Sequence, residues 1–203
     1  MKIKKELEHF SIDGYYGGSQ QWMLDPWMRL GGCGALAAVD SCIFFGRHHK
    51  IKKLVNNVYH IDKNIYRNLA REMKPYLRPR FEGINKLSIY IDGFGRFLKD
   101  RNVDLIHMEG YSMGMPAEQA WCELRNQIDK NILVPVLLLN PISREWREYN
   151  WHWFLINGYR EEAEDNIRLV KAVTYGSYEW LHWETFWDEN DKENGGMILY
   201  RIV

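Results

Sequence analysis

The chain has 203 residues, and its 27 Lys and Arg are balanced by 27 Asp and Glu, so no net charge draws it toward nucleic acid or an anionic membrane. At 46% hydrophobic and 14% aromatic it can bury the core of one compact domain, which excludes a disordered chain. Three cysteines are too few for a disulfide framework in a chain of this size and point to a reducing, cytoplasmic setting.

The N-terminus opens on Lys2, Lys4 and Lys5, but Glu6 and Glu8 stand where the apolar stretch of an export signal belongs, so no signal peptide is expected. Residues 14–32 mix glycine, Pro26 and bulky aromatics and read as an irregular packed loop that delivers the chain to Cys33. From Cys33 to Phe45 the chain is small and apolar on nearly every side, and Ala35-Leu36-Ala37-Ala38 favours helix; a buried central helix stopping at Gly46 is expected. Residues 47–107 carry much of the basic charge and alternate helical stretches with turns at Pro75 and Pro79, a helical subdomain. Entered at Pro116, the stretch Ala117 to Lys130 repeats Ala120, Leu124 and Ile128 at four-residue spacing, an amphipathic helix.

The pattern then changes. Ile132 to Leu139 is a continuous apolar run ended by Asn140-Pro141, a buried strand. Trp151 to Tyr159 predicts a second strand, with His152, Phe154 and Ile156 on one face. Arg160 to Asn166 reads as a hairpin loop, Ile167 to Tyr175 as a third strand, and Trp180 to Trp187 has helix-like Trp and Phe spacing. Glu184 to Glu193 reads as a charged surface loop, and Gly195-Gly196 introduces a last strand, Met197 to Val203. Helices followed by an antiparallel sheet give the α+β class, with one domain whose mainly helical part spans about 20–130 and whose mainly antiparallel sheet part spans 131–203. No apolar run approaches the roughly 20 residues of a membrane span, so no membrane association is expected.

If Cys33 and Cys42 share one helix, about 1.5 Å rise per residue places them about 13 Å apart on opposite faces, too far for a disulfide. Cys42 among Ile43, Phe44 and Phe45, and Cys122 beside Trp121, read as small buried hydrophobes. Cys33 is different, because it opens the helix, where unpaired N–H groups and the positive dipole end lower a thiol's pKa. Gly31, Gly32 and Gly34 leave room beside it for a substrate carbonyl and for N–H groups aimed at an oxyanion. The same glycines also serve a helix that simply starts in a crowded place. A thiol nucleophile needs a base within hydrogen-bond reach, yet by itself a lone strand histidine such as His152, flanked by tryptophans, reads as a satisfied core residue.

The segments GGCGALAAV (31–39), AEQAWCELRNQIDKNILVPVLLL (117–139), WHWFLINGY (151–159) and VTYGSYEWLHWETF (173–186) resemble the bacterial branch of the papain-like cysteine peptidases. Within that branch they are most similar to the peptidases that cleave double-glycine leader peptides and to their stand-alone relatives; residues 47–115 contribute little to the likeness. The resemblance implies a papain-like α+β fold, Cys33 as nucleophile, His152 as general base, and a cleft between the helix and the sheet. The family orients its His with Asn or Asp on the next strand; a hairpin centred near Ala163 instead sets Thr174 opposite His152, with Val173 and Tyr175 as slips of one. Where the family carries an oxyanion Gln this chain has Trp27, which leaves the Cys33 N–H and an upstream glutamine, Gln21 or its neighbour Gln20, as candidates for that role.

Other constellations count for less. His48-His49 with His60 lacks a carboxylate or Cys at ligand spacing, so no metal is expected, and Arg47 to Lys53 reads as a solvated basic face. Gly93-Phe94-Gly95-Arg96 lacks a third glycine at dinucleotide spacing, so no cofactor is expected. Trp146, Trp151, Trp153, Trp180, Trp183 and Trp187 read as filling of the sheet core, with lining of an apolar substrate cleft as the alternative for some of them. The combined expectation is a cysteine peptidase or amidase acting on a peptide or small amide, without nucleic-acid or membrane partners. The rivals are a catalytically degenerate papain-like binding module and a thiol acyltransferase on the same fold.

Overall fold

The computed structural model describes residues 2–80, 83–162, 167–187 and 195–203. In chain order the elements begin with strands β1 (Lys2–Glu6), β2 (Ser11–Ile12) and β3 (Tyr15–Tyr16), then helices α1 (Pro26–Gly31) and α2 (Cys33–His48). Helices α3 (Lys63–Met73) and α4 (Leu87–Asp100), strand β4 (Ile106–Ser112) and helix α5 (Ala117–Asp129) follow. The second half runs β5 (Val134–Leu138), β6 (His152–Glu162), β7 (Ile167–Thr174), β8 (Ser177–His182), α6 (Trp183–Trp187) and β9 (Gly196–Ile202). The architecture is α+β: a seven-stranded antiparallel sheet in the order β4-β9-β5-β6-β7-β8, with β1 pairing the far half of β6 beyond the end of β5.

Helix α2 is the centre of the molecule. Its small apolar residues leave no polar face, so Cys33 to Gly46 are all buried and the helix is packed between α3 and the sheet. Its first turn lies tight on β6: a Cβ on Gly34 would stand 3.2 Å from the Trp153 ring and 3.0 Å from Ile84, so a side chain there would need those neighbours to give by a few tenths of an ångström. Trp153 is fixed in turn by stacking on Tyr90 at 4.5 Å and by donating its indole N–H to the Ile84 carbonyl at 2.6 Å. Further along α2, Ser41 donates to the Ala37 carbonyl at 2.8 Å and receives the Tyr200 hydroxyl at 3.1 Å, with the Tyr90 oxygen 3.0 Å from that of Tyr200. These buried hydroxyls satisfy one another and tie α2, α4 and β9 together.

Several sequence expectations are corrected. The mainly helical part 20–130 also holds strand β4, which pairs along its length with β9. Strand β1 also joins the sheet ahead of the part assigned to it. Both lie at edges and bury little, so their apolar alternation is weak. Residues 14–32, expected to be irregular, hold β3, a 3₁₀ turn at Gln20–Trp22 and α1, capped by Asp25. Gly46 does not stop α2, which runs on to His48. Trp180 to His182 belong to β8, where pairing with β7 outweighs the helical spacing, and only Trp183 to Trp187 coil. Cys122 is exposed rather than buried, and Trp151 stands outside the core at 46% exposure. The loop read at 160–166 begins inside β6, with 163–166 outside the described residues; of the acidic stretch 184–193, residues 184–187 are helical and 188–193 lie outside them.

Among the described residues no helix is long and apolar enough to cross a membrane. Replacing Tyr200 by Phe removes the hydroxyl shared by Ser41 and Tyr90 while keeping the ring, and is expected to lower unfolding free energy by about 1–2 kcal/mol. Urea denaturation of the two proteins measures this directly, and equal midpoints would show that the relay contributes nothing.

Candidate active site

The close approach of the α2 start to the β6 start brings Cys33 and His152 to one place, although they are far apart in the chain. Both border a narrow inner pocket of about 20 Å³ and a wider outer cleft of about 600 Å³. The inner pocket, with room for one water, is closed by Gly18, Gln20, Asp40 and Tyr66. The cleft opens past Trp27, Leu30, Arg80, Asn150 and Trp151.

His152 is 5% exposed. Its Nε2 lies 2.7 Å from the Thr174 hydroxyl oxygen, and the Tyr175 hydroxyl is 3.5 Å from Nδ1. The Tyr175 ring stacks on the imidazole with centroids 4.8 Å apart and planes 10° from parallel, and Tyr149 closes another side at 6.3 Å. Thr174 was expected from the register, and it meets His152, although not as its cross-strand partner. The pairing is Leu155 with Val173 and Ile156 with Ala172, displaced from the assumed hairpin, and Thr174 reaches the ring diagonally. Glu179 takes the Tyr149 hydroxyl at 3.4 Å and Glu184 lies 3.9 Å from Arg168, so these carboxylates are engaged elsewhere.

Gln21, the sequence candidate for the oxyanion side, is exposed and uses its backbone N–H on the Ser19 hydroxyl at 3.3 Å. Its neighbour Gln20 borders both cavities, and its Oε1 is buried without a partner among the described residues. The 3₁₀ turn decides between the two adjacent glutamines, and nothing in the sequence distinguishes them. Trp27 is 59% exposed and lines the cleft, and Trp151 also lines it, with its indole N–H donated to Asn140 Oδ1 at 3.1 Å.

Burial dominates the electrostatics. It pushes the Cys33 thiol above its ordinary pKa, against the opposing N–H groups of Trp153, Gly34 and Cys33 itself. The helix start was expected to lower this pKa; here desolvation exceeds the stabilisation from those donors. The same burial pulls His152 down to about 4. At neutral pH the site therefore holds a thiol and a neutral imidazole, with no hydrogen bond between them among the described residues. Asp40, roughly two turns beyond Cys33 on α2, accepts the Tyr66 hydroxyl at 2.7 Å and the Gly18 N–H at 3.3 Å, and burial raises it to about 7.

Two bulky residues flanking His152 have left-handed backbone, Trp151 at φ 53° and Tyr175 at φ 51°. Such positions typically cost about 1–3 kcal/mol and gather at functional sites. No cluster of three or more His, Cys, Asp or Glu among the described residues is placed to hold a metal ion.

The His152 shift has a definite sign. The unfolded imidazole takes up its proton near 6.5 and the folded one only near 4, so stability is lost as pH falls across that interval. Relative to His152→Gln, the native protein is expected to lose on the order of 3 kcal/mol between about pH 7 and pH 4. Parallel urea titrations of the two proteins check this; identical pH profiles would mean that the ring is not held neutral. No family model matches the chain, and no curated protein or solved structure matches it.

Proposed function

We propose that this protein is a thiol-dependent acyl-transfer enzyme of the papain-like kind, acting in the cytoplasm on a peptide or small amide. The observation that carries the reading is the convergence of Cys33 and His152 on the same two cavities, with Thr174 Oγ1 at 2.7 Å from the imidazole Nε2. With Nε2–H donated to Thr174, Nδ1 keeps its lone pair and is the basic nitrogen.

Cys33 sulfur attacks the substrate carbonyl carbon as Nδ1 takes the thiol proton, and the carbonyl π pair moves onto oxygen. The Cys33 N–H meets that oxyanion, and rotation of the Gln20 amide puts its Nε2–H on the same side. The oxyanion collapses to a thioester, expelling the amine, which receives the proton from His152. Water then attacks the thioester to release an acid and the free thiol, completing hydrolysis. An amine in place of water makes the same site an acyltransferase. Starting from a neutral pair, proton transfer accompanies attack, so the reaction needs no resting thiolate.

A binding module with the same fold is the second reading, favoured by the raised Cys33 pKa and by a hydroxyl rather than a carboxylate on His152. The two are separated by incubating the protein with an activated acyl ester and measuring the mass of the Cys33 peptide. The enzyme reading expects a thioester on Cys33, none in Cys33→Ala, and acylation about 10²–10⁴-fold slower in His152→Ala. An unmodified Cys33, or equal rates with and without His152, would support the binding module.

A further inference from the structure

The chemistry above makes no use of Tyr175, although its ring lies on His152. Tyr175 fills the first position of the two-residue turn between β7 and β8, and Gly176 fills the second, with φ values of 51° and 73°. Turns with two positive φ angles favour Asn, Asp and Gly, so an aromatic ring here is held against local preference. The turn backbone is pinned, because the Tyr16 N–H donates to the Gly176 carbonyl and the Gly176 N–H to the Gly18 carbonyl, each at 2.8 Å. That leaves side-chain rotation as the available motion.

The ring borders both the inner pocket and the outer cleft, and lies close enough to Cys33 to feel its charge. It covers one face of His152, with its hydroxyl near Nδ1, the nitrogen assigned to take the thiol proton. A third cavity of about 160 Å³, lined by Tyr149, Ser177, Tyr178 and Glu179, flanks Tyr175 and offers the ring space to turn into.

We propose that Tyr175 is a positioning and gating residue for Cys33. Its ring, held over His152 by the turn, narrows the approach to the Cys33 sulfur from the cleft that Cys33 borders, and its rotation into the flanking cavity widens it. The same movement withdraws the hydroxyl from Nδ1, so that admission of a carbonyl and release of the base are one event. The inference rests on Cys33 being the reacting thiol.

The test is the rate at which iodoacetamide modifies Cys33 at fixed pH in a Cys122→Ser background, followed by peptide mass spectrometry. Tyr175→Gly and Tyr175→Asn both suit the turn and remove the ring, and are expected to speed modification by about tenfold or more. Tyr175→Phe keeps the ring and is expected to react within about twofold of the parent, a rescue that general loosening of the site would not produce. Melting temperatures at or above that of the parent for the Gly and Asn variants establish that the turn is intact. Equal rates in the parent and both ring-deleted variants would overturn the gate: if the shared rate is fast the reading of Cys33 stands, and if Cys33 never reacts that reading falls too. A Phe variant as fast as Gly would also overturn it.

Discussion

The contact on which the site depends is the seating of the first turn of α2 on the first residues of β6, where Gly34 meets the Trp153 ring. A side chain at position 34 would have to displace the Trp153 ring and the Ile84 side chain by a few tenths of an ångström, disturbing the seat from which Cys33 and His152 share a pocket. Around this contact the structure builds outward: Trp153 is locked by Tyr90 and Ile84, Tyr90 by Tyr200, and Tyr200 by Ser41 of the same helix. The site is held by a closed circuit of core contacts rather than by its own polar groups.

That closeness has an electrostatic consequence. A thiol and an imidazole buried together lose hydration faster than nearby N–H groups replace it, so both neutral forms are favoured. The helix dipole at Cys33 acts in the other direction and is outweighed. Tyr175 and Tyr149 around His152 reinforce the burial, and Thr174 supplies a hydrogen bond without a charge. The arrangement suits proton transfer during attack rather than before it.

The core of the fold was legible in the sequence where burial sets a pattern. The all-apolar run from Cys33, the run from Ile132 to Leu139 and the aromatic-rich stretch from Trp151 to Tyr159 each name their element; Cys33 was singled out by its place at the helix start, and His152 by the family resemblance. What escaped were elements with little to bury, β1 and β4, and features set by local geometry. The choice of Gln20 over Gln21 depends on a single 3₁₀ turn. Thr174 was found through an assumed register that the hairpin end, where Glu162 pairs with Ile167, already displaces, and its side chain reaches His152 from a neighbouring rung. Tyr175 entered only as a register slip opposite His152; its place in a turn that prefers Asn or Gly is visible only in its φ angle.

The central claim is that burial keeps Cys33 and His152 both neutral in the resting protein. The pH dependence of Cys33 alkylation in the native protein tests it most directly. A neutral pair gives a rate that is low near about pH 6 and climbs steadily through neutrality toward alkaline pH. A fast rate that is already level between about pH 5 and pH 7 would contradict the claim, because it would require a thiolate–imidazolium pair formed in advance.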